Sequence, residues 1–177
     1  MLERKLIRLT GFDYSKPRYY YFTICVKGKS HSFGFIENRS MHLSSNGIIA
    51  LEQWNWLAIR YPYIRLVSFV VMPNHVHGII YINSNYYVGN GRDHSPHNTG
   101  DQTMHNIYQT KIKPLPELIG AYKTTVSKRI HISGDLEFNW HKSYHDHIIR
   151  NTRALNIIKQ YIEKNPENWH NDFIGDM

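Results

Sequence analysis

Two apolar runs flank a single Pro-Asn dipeptide in the middle of the chain, and this arrangement constrains the fold most. Residues 66–72 and 75–82 are rich in Val, Ile and Phe, which favour the pleated surface of a β-sheet. Pro73 and Asn74 are typical turn residues, so the two runs are predicted to pair as an antiparallel hairpin. Because both runs are so apolar, we expect this hairpin to lie at the centre of a sheet.

Further elements precede the hairpin. The aromatic and β-branched residues 18–26 predict a first strand, and residues 32–36 predict a hairpin or an edge strand. A helix is predicted from an N-cap at Ser44 or Ser45 to the stop at Pro62, because apolar side chains recur every three or four residues between them.

A long polar segment follows the hairpin. Residues 83–114 have no apolar periodicity and predict a flexible insertion. A second helix is predicted to start near Pro116, an extended segment covers residues 140–150, and a last helix begins at Asn151 or Thr152. This order predicts an α+β fold, an antiparallel sheet with helices mainly on one face, as one domain over residues 1–177.

Charge and cysteine content narrow the possible partners. The chain of 177 residues has 21 Lys and Arg against 14 Asp and Glu, a net charge of +7, which favours a polyanion such as nucleic acid. Cys25 is the single cysteine, so the sequence excludes an intrachain disulfide and a zinc site built from several thiolates. The apolar runs are too short to span a membrane, and we expect a cytoplasmic protein with no membrane partner.

The second strand of the hairpin contains a pair of histidines. Side chains alternate along a strand, so His75 and His77 are predicted on one face and Val76 and Ile80 on the other. Two neutral imidazoles side by side can hold a divalent cation. Surface histidines, or buried histidines with ordinary hydrogen bonds, are the alternative.

The last helix contains a candidate nucleophile. Tyr161 and Asn165 are four residues apart and therefore lie one turn apart on the same helix face. A tyrosine oxygen can attack phosphorus and form a covalent phosphotyrosine. The alternative is a core tyrosine followed by an asparagine that ends the helix.

Several basic residues are candidates for contacts with a DNA backbone. Three belong to the middle helix and one follows the histidine-rich segment: Lys123, Lys128, Arg129 and Arg150. An ordinary solvated surface is the alternative.

Three segments together resemble a known family. Residues 70–78 (VVMPNHVHG), 140–150 (WHKSYHDHIIR) and 161–169 (YIEKNPENW) are similar to motifs of the REP-associated tyrosine transposases. These belong to the single-tyrosine transposases with a His-hydrophobic-His motif. The resemblance covers roughly residues 15–170 without the insertion.

The resemblance implies a fold, a site and an activity. The fold is a ferredoxin-like or RNA-recognition-like sheet with the nucleophile on a C-terminal helix. His75 and His77 match the ligands of Mg²⁺ or Mn²⁺, Tyr161 matches the nucleophile, and Asn165 matches a polar residue that is often Gln in the wider family. The implied enzyme cleaves and rejoins single-stranded DNA at hairpin, REP-like sequences through a 5′-phosphotyrosine, as a homodimer or as a monomer.

Two other functions fit parts of the sequence. A non-catalytic module that binds single-stranded nucleic acid is one, because residues 31–38 faintly resemble an RNA-recognition motif. A histidine-based metal hydrolase, with water as the nucleophile, is the other.

Overall fold

The computed structural model describes residues 11–83 and 111–171. Its strands are β1 (Arg18–Cys25), β2 (Gly34–Glu37), β3 (Ser40–Leu43), β4 (Ile64–Met72), β5 (His75–Ile82) and β6 (His145–Ile149). Its α-helices are α1 (Ser45–Arg60), α2 (Leu115–Ile132) and α3 (Thr152–Lys164), and short 3-10 helices cover Lys27–Lys29 and Pro166–Asn171. The α+β class is therefore confirmed.

The main sheet has four antiparallel strands in the order β4-β5-β1-β6. Strand β5 is central, as predicted, but the prediction that the whole hairpin is central was wrong: β4 is an edge strand of the described sheet. Its apolar run is explained by the helices instead, because α1 and α3 both pack against β4. Strands β2 and β3 form a separate hairpin.

The two faces of the sheet are covered differently. Helices α1 and α2 cover one face, where Phe22 packs on Trp54 and the Tyr122 hydroxyl donates a 3.0 Å hydrogen bond to the carbonyl of Ala50. Helix α3 covers the opposite face through a small cluster built on Ile79, Ile149 and Ile162. Two helices on one face and one on the other agree with the predicted arrangement.

Helix ends follow the predicted signals. The Ser44 side chain accepts a hydrogen bond from the Gly47 amide, and the Asn151 side chain accepts one from the Ala154 amide. Helix α3 then ends just before Pro166. Its start and length determine where Tyr161 lies.

The two ends of the predicted insertion meet at Tyr63. The amide of Asn83 donates to the Tyr63 carbonyl at 2.8 Å, and the amide of Lys113 donates to the Tyr63 hydroxyl at 3.1 Å. The rest of the predicted flexible insertion, residues 84–110, lies outside the described residues. Within the described parts of the chain, no helix combines the length and the apolar character of a membrane span.

Candidate metal and nucleophile site

The histidine pair lies on the face of the sheet that α3 covers. His75 and His77 alternate along β5 with Val76 and Ile80, which belong to the core under α1 and α2. On the neighbouring strand β1, Thr23 lies directly opposite His77. The predicted division of β5 into a polar and an apolar face is therefore confirmed.

The two imidazoles point their Nε2 atoms at each other. These atoms are 2.9 Å apart, and the side chains are only 1% and 2% exposed. Two nitrogens that ligate one cation at right angles, at about 2.1 Å each, are about 3 Å apart. The observed spacing fits a shared divalent cation.

The outer nitrogens have polar partners that fix the rings. His75 Nδ1 lies 2.7 Å from the Asn74 side-chain oxygen, so this nitrogen is the protonated donor. His77 Nδ1 lies 2.8 Å from both the Thr23 and the Tyr21 hydroxyl oxygens. When His77 Nδ1 donates to Thr23, both Nε2 lone pairs are available to a metal, and the surrounding groups act as a second shell.

Burial keeps both histidines uncharged. Desolvation lowers the pKa of His75 to about 4. Desolvation, and then the neighbouring His75, hold the pKa of His77 well below its ordinary value. A neutral imidazole is the form that binds a metal, so the pair is in its ligating protonation state at neutral pH.

Tyr161 extends from α3 toward this pair. Its hydroxyl lies 3.5 Å from His77 Nε2, and the two rings meet edge to face with centroids 5.3 Å apart. The side chain is 41% exposed, so an external group can reach it. The alternative of a tyrosine enclosed in the core is therefore excluded.

Asn165 is buried one turn after Tyr161. It is 1% exposed, yet neither atom of its amide has a hydrogen-bond partner among the described residues. An unpaired buried amide costs about 1–3 kcal/mol, so such a group calls for an explanation. A cation or its bound water would supply the missing partner for the amide oxygen.

Few protein side chains are available here as metal ligands. No group of three or more His, Cys, Asp or Glu side chains that could hold a metal occurs within residues 11–83 and 111–171. His75 and His77 could hold a cation here, and Asn165, buried one helical turn after Tyr161, is a further candidate ligand. Such a set leaves coordination positions for water and for oxygens of a substrate.

Three supporting residues had no predicted role. Tyr21 and Thr23 contact His77, and Trp169 stacks on His75 with ring centroids 6.1 Å apart. Strand alternation places Tyr21 and Thr23 on one face of β1. Only the register between β1 and β5 brings that face beside His77.

The predicted basic residues fall in two places. Lys123, Lys128 and Arg129 lie on α2, on the opposite side of the sheet from the histidines. The Lys123 ammonium donates to the carbonyls of His141 and Lys142, and Arg129 pairs with Glu52 at 2.9 Å. Arg150 instead lies between β6 and α3, on the other side of the molecule.

Comparison with known proteins places the chain in a family. An uncharacterized protein of Haemophilus influenzae strain Rd is 31% identical over 173 residues, which cover 96% of this chain and 91% of the relative. The chain belongs to the family of this Haemophilus protein. No family model matches the chain.

A solved structure has the same fold as this chain. It is a REP-associated tyrosine transposase bound to a REP hairpin, with a TM-score of 0.54 and 17% sequence identity. The match covers 92% of this chain and 73% of that chain. The predicted fold is therefore confirmed.

Proposed function

We propose that this protein is a metal-dependent single-stranded DNA transposase and endonuclease that uses Tyr161 as its nucleophile. The observation that carries the proposal is the placement of the Tyr161 hydroxyl 3.5 Å from His77 Nε2, which is itself 2.9 Å from His75 Nε2. A buried pair of neutral imidazoles beside a half-exposed phenol matches the needs of phosphoryl transfer.

His75 and His77 would hold the cation through their Nε2 atoms, and the Asn165 amide oxygen would complete the protein ligands. When bound, Mg²⁺ or Mn²⁺ would polarise the scissile phosphate and favour ionisation of the nearby phenol. Asn74 and Thr23 keep the two rings oriented through their Nδ1 atoms. Because burial lowers the pKa of both histidines, their ligating nitrogens stay unprotonated at neutral pH.

Tyr161 performs the covalent step. Its oxygen forms a bond to phosphorus as the bond between phosphorus and the 3′ oxygen breaks, which leaves a 5′-phosphotyrosine and a 3′ alkoxide. The phenol proton ends on that 3′ oxygen, so the products are a phosphodiester on tyrosine and a free 3′-hydroxyl. Attack by a 3′-hydroxyl on the phosphotyrosine reverses the step and rejoins a strand.

The proposed substrate is single-stranded DNA with a hairpin. The REP-associated transposase of the same fold is bound to a REP hairpin, and the net charge of +7 favours a polyanion. We place the protein in that transposase superfamily on the combined motifs, fold and site. Assembly as a homodimer or as a monomer stays a prediction from the sequence.

The proposal is tested by incubating the protein with labelled single-stranded hairpins from around its own gene in Mn²⁺. We expect a covalent protein–DNA adduct on denaturing gels, and a new 3′-hydroxyl on the released strand. Both should be lost in EDTA and in Tyr161→Phe. Tyr20→Phe is the matched control, because its hydroxyl bonds to the carbonyl of Lys16 on the other side of the sheet.

Three outcomes would contradict the proposal. Binding of a hairpin with no cut strand supports the non-catalytic binding module. Cleavage that survives Tyr161→Phe points to water as the nucleophile, as in a metal hydrolase. Adduct formation in EDTA would show that cleavage does not need a cation held by the histidine pair.

A further inference from the structure

A cavity lies on the side of the sheet that carries α3, near the start of that helix. It has a volume of about 330 Å³, and its lining includes Arg18, Tyr19, Tyr81, Arg150, Asn151 and Thr152. Tyr81 is six residues beyond His75 on β5, so the cavity lies at the far end of the strand from the histidine pair. None of the described residues that line the cavity carries a carboxylate.

Two exposed guanidinium groups flank the cavity. Arg18 starts β1, and Arg150 follows β6 directly, so the antiparallel pairing of these strands brings both to one end of the sheet. Within the described parts of the chain, no carboxylate forms an ion pair with either one. Unpaired arginines around a concave surface are suited to bind phosphate oxygens.

The cavity wall also offers aromatic rings. Tyr19 and Tyr81 pair across β1 and β5 with ring centroids 4.8 Å apart. Arg65 lies over both rings, at 5.7 and 5.2 Å, and donates a 2.6 Å hydrogen bond to the Tyr19 hydroxyl. This third cation holds the phenols in place and adds positive charge beside the cavity.

We propose that this cavity binds one nucleotide of the single-stranded DNA that Tyr161 cuts. Arg18 and Arg150 contact a backbone phosphate, and the base packs against Tyr19 and Tyr81. Aromatic platforms combined with a positively charged groove are the usual way to bind unpaired strands without sequence readout. This inference rests on the proposed function and extends it to a binding subsite.

The helix links the two sites. Thr152 lines the cavity at the start of α3, and Tyr161 lies nine residues further along. Nine residues rise about 14 Å along the axis. That distance is roughly four steps of a stacked strand. The subsite therefore holds a nucleotide within a few positions of the scissile phosphate.

The test measures binding of a labelled, mixed-sequence single-stranded oligonucleotide by fluorescence anisotropy in EDTA, where no strand is cut. The double variant Arg18→Gln/Arg150→Gln should lower the slope of log affinity against log salt by about 0.7, since the one phosphate that both arginines contact contributes about 0.7 on single strands. Tyr81→Leu should weaken binding about 5- to 150-fold. Thermal melting verifies that each variant is folded.

Arg60→Gln is the matched control for charge, because it removes one guanidinium group from the end of α1 on the other side of the sheet. We expect Arg60→Gln to leave the salt slope close to that of the wild type. Oligonucleotides shortened from either end should lose the effect of Tyr81→Leu once the bound nucleotide is removed. A free mononucleotide should compete poorly, because it lacks the contacts of a continuous strand.

The proposal is overturned if Arg18→Gln/Arg150→Gln keeps the wild-type salt slope, or if Arg60→Gln lowers it equally per charge. Competition by a mononucleotide as strong as by the oligonucleotide would also overturn it and indicate a small-molecule site. These results are independent of cleavage. Wild-type protein that still forms the Tyr161 adduct would keep the proposed function while the subsite fails.

Discussion

The two faces of the four-stranded sheet differ in what their side chains do, although they share the same strands. Under α1 and α2, the side chains of β1 and β5 form a continuous apolar core that includes Phe22, Val76 and Ile80. Under α3, the same strands present His75, His77 and hydroxyl groups, with only a small apolar cluster around Ile79. Successive side chains along β1 and β5 alternate between the two faces, so the apolar core lies on one face and the candidate site lies on the other.

The contrast also explains the buried polar groups. Burial of two imidazoles carries a desolvation cost, and the Asn165 amide, which has no partner among the described residues, adds a further cost. A face that served stability alone would not require these groups. On the α3 face, His77 lies beside the Tyr161 hydroxyl, and Asn165 follows Tyr161 by one helical turn. Their cost is offset if a cation and a phosphate bind there.

Substitutions at β5 positions on opposite faces test this division most strongly. His77→Gln should lose strand cleavage to below detection, because a ligand is removed, while the protein stays folded. Ile80→Ala, on the other face, should lower the free energy of unfolding by about 2–5 kcal/mol through loss of core packing. Its cleavage rate per folded molecule should stay near the wild-type value.

Chemical denaturation combined with a cleavage assay would measure both effects. Loss of cleavage in folded Ile80→Ala together with normal cleavage in His77→Gln would contradict the division between the faces.

The stability of the metal-free protein should depend on pH through the histidine pair. Burial lowers the pKa of His75 from 6.5 to about 4, so the unfolded chain binds more protons than the folded chain between these values. Stability is therefore fully present above pH 6.5 and is lost as the pH falls toward 4. The loss from His75 is at most about 3 kcal/mol.

Denaturant titrations in EDTA at pH 7 and pH 4 would measure this loss. Other groups titrate in the same range, so the informative quantity is the difference from His75→Gln/His77→Gln. The wild type should lose more stability than this variant. Equal losses would show that the pair is not desolvated as described.

The smallest effect is expected from the support of His77. Thr23→Val removes the hydroxyl that lies 2.8 Å from His77 Nδ1 but keeps nearly the same volume. Loss of such a second-shell contact should weaken metal affinity about 10- to 100-fold. Thr125→Val is the matched control, because its hydroxyl bonds to carbonyls of its own helix α2.

Titration calorimetry with Mn²⁺ measures both affinities. An unchanged affinity in Thr23→Val, or an equal loss in Thr125→Val, would mean that the Thr23 hydroxyl does not orient the metal-binding imidazole.

Much of this arrangement follows from local sequence patterns. Alternation along β5 predicts the face of the histidine pair, and the helix between Asn151 and Pro166 predicts that Tyr161 and Asn165 share a face. These features depend on neighbours only a few residues apart. The contacts of Tyr21 and Thr23 depend on pairing between strands more than fifty residues apart, which no local pattern determines.

Two further features depend on tertiary packing. The position of β4 at an edge was hidden by its apolar composition, because helices cover it from both sides. By charge alone, Lys123 is a free surface cation. In the structure, its ammonium donates hydrogen bonds to the carbonyls of His141 and Lys142, which lie about twenty residues further along the chain. Charge alone therefore did not distinguish this hydrogen-bonded lysine from Arg150, which forms no ion pair within the described parts of the chain.

The central claim is that His75 and His77 share one cation beside Tyr161. Crystals of the protein soaked in Mn²⁺ and measured at an X-ray energy with manganese anomalous signal would test it directly. The account predicts one strong anomalous peak at ligand distance from both Nε2 atoms and near the Asn165 amide. A peak elsewhere, or none at this pair at saturating Mn²⁺, would contradict it.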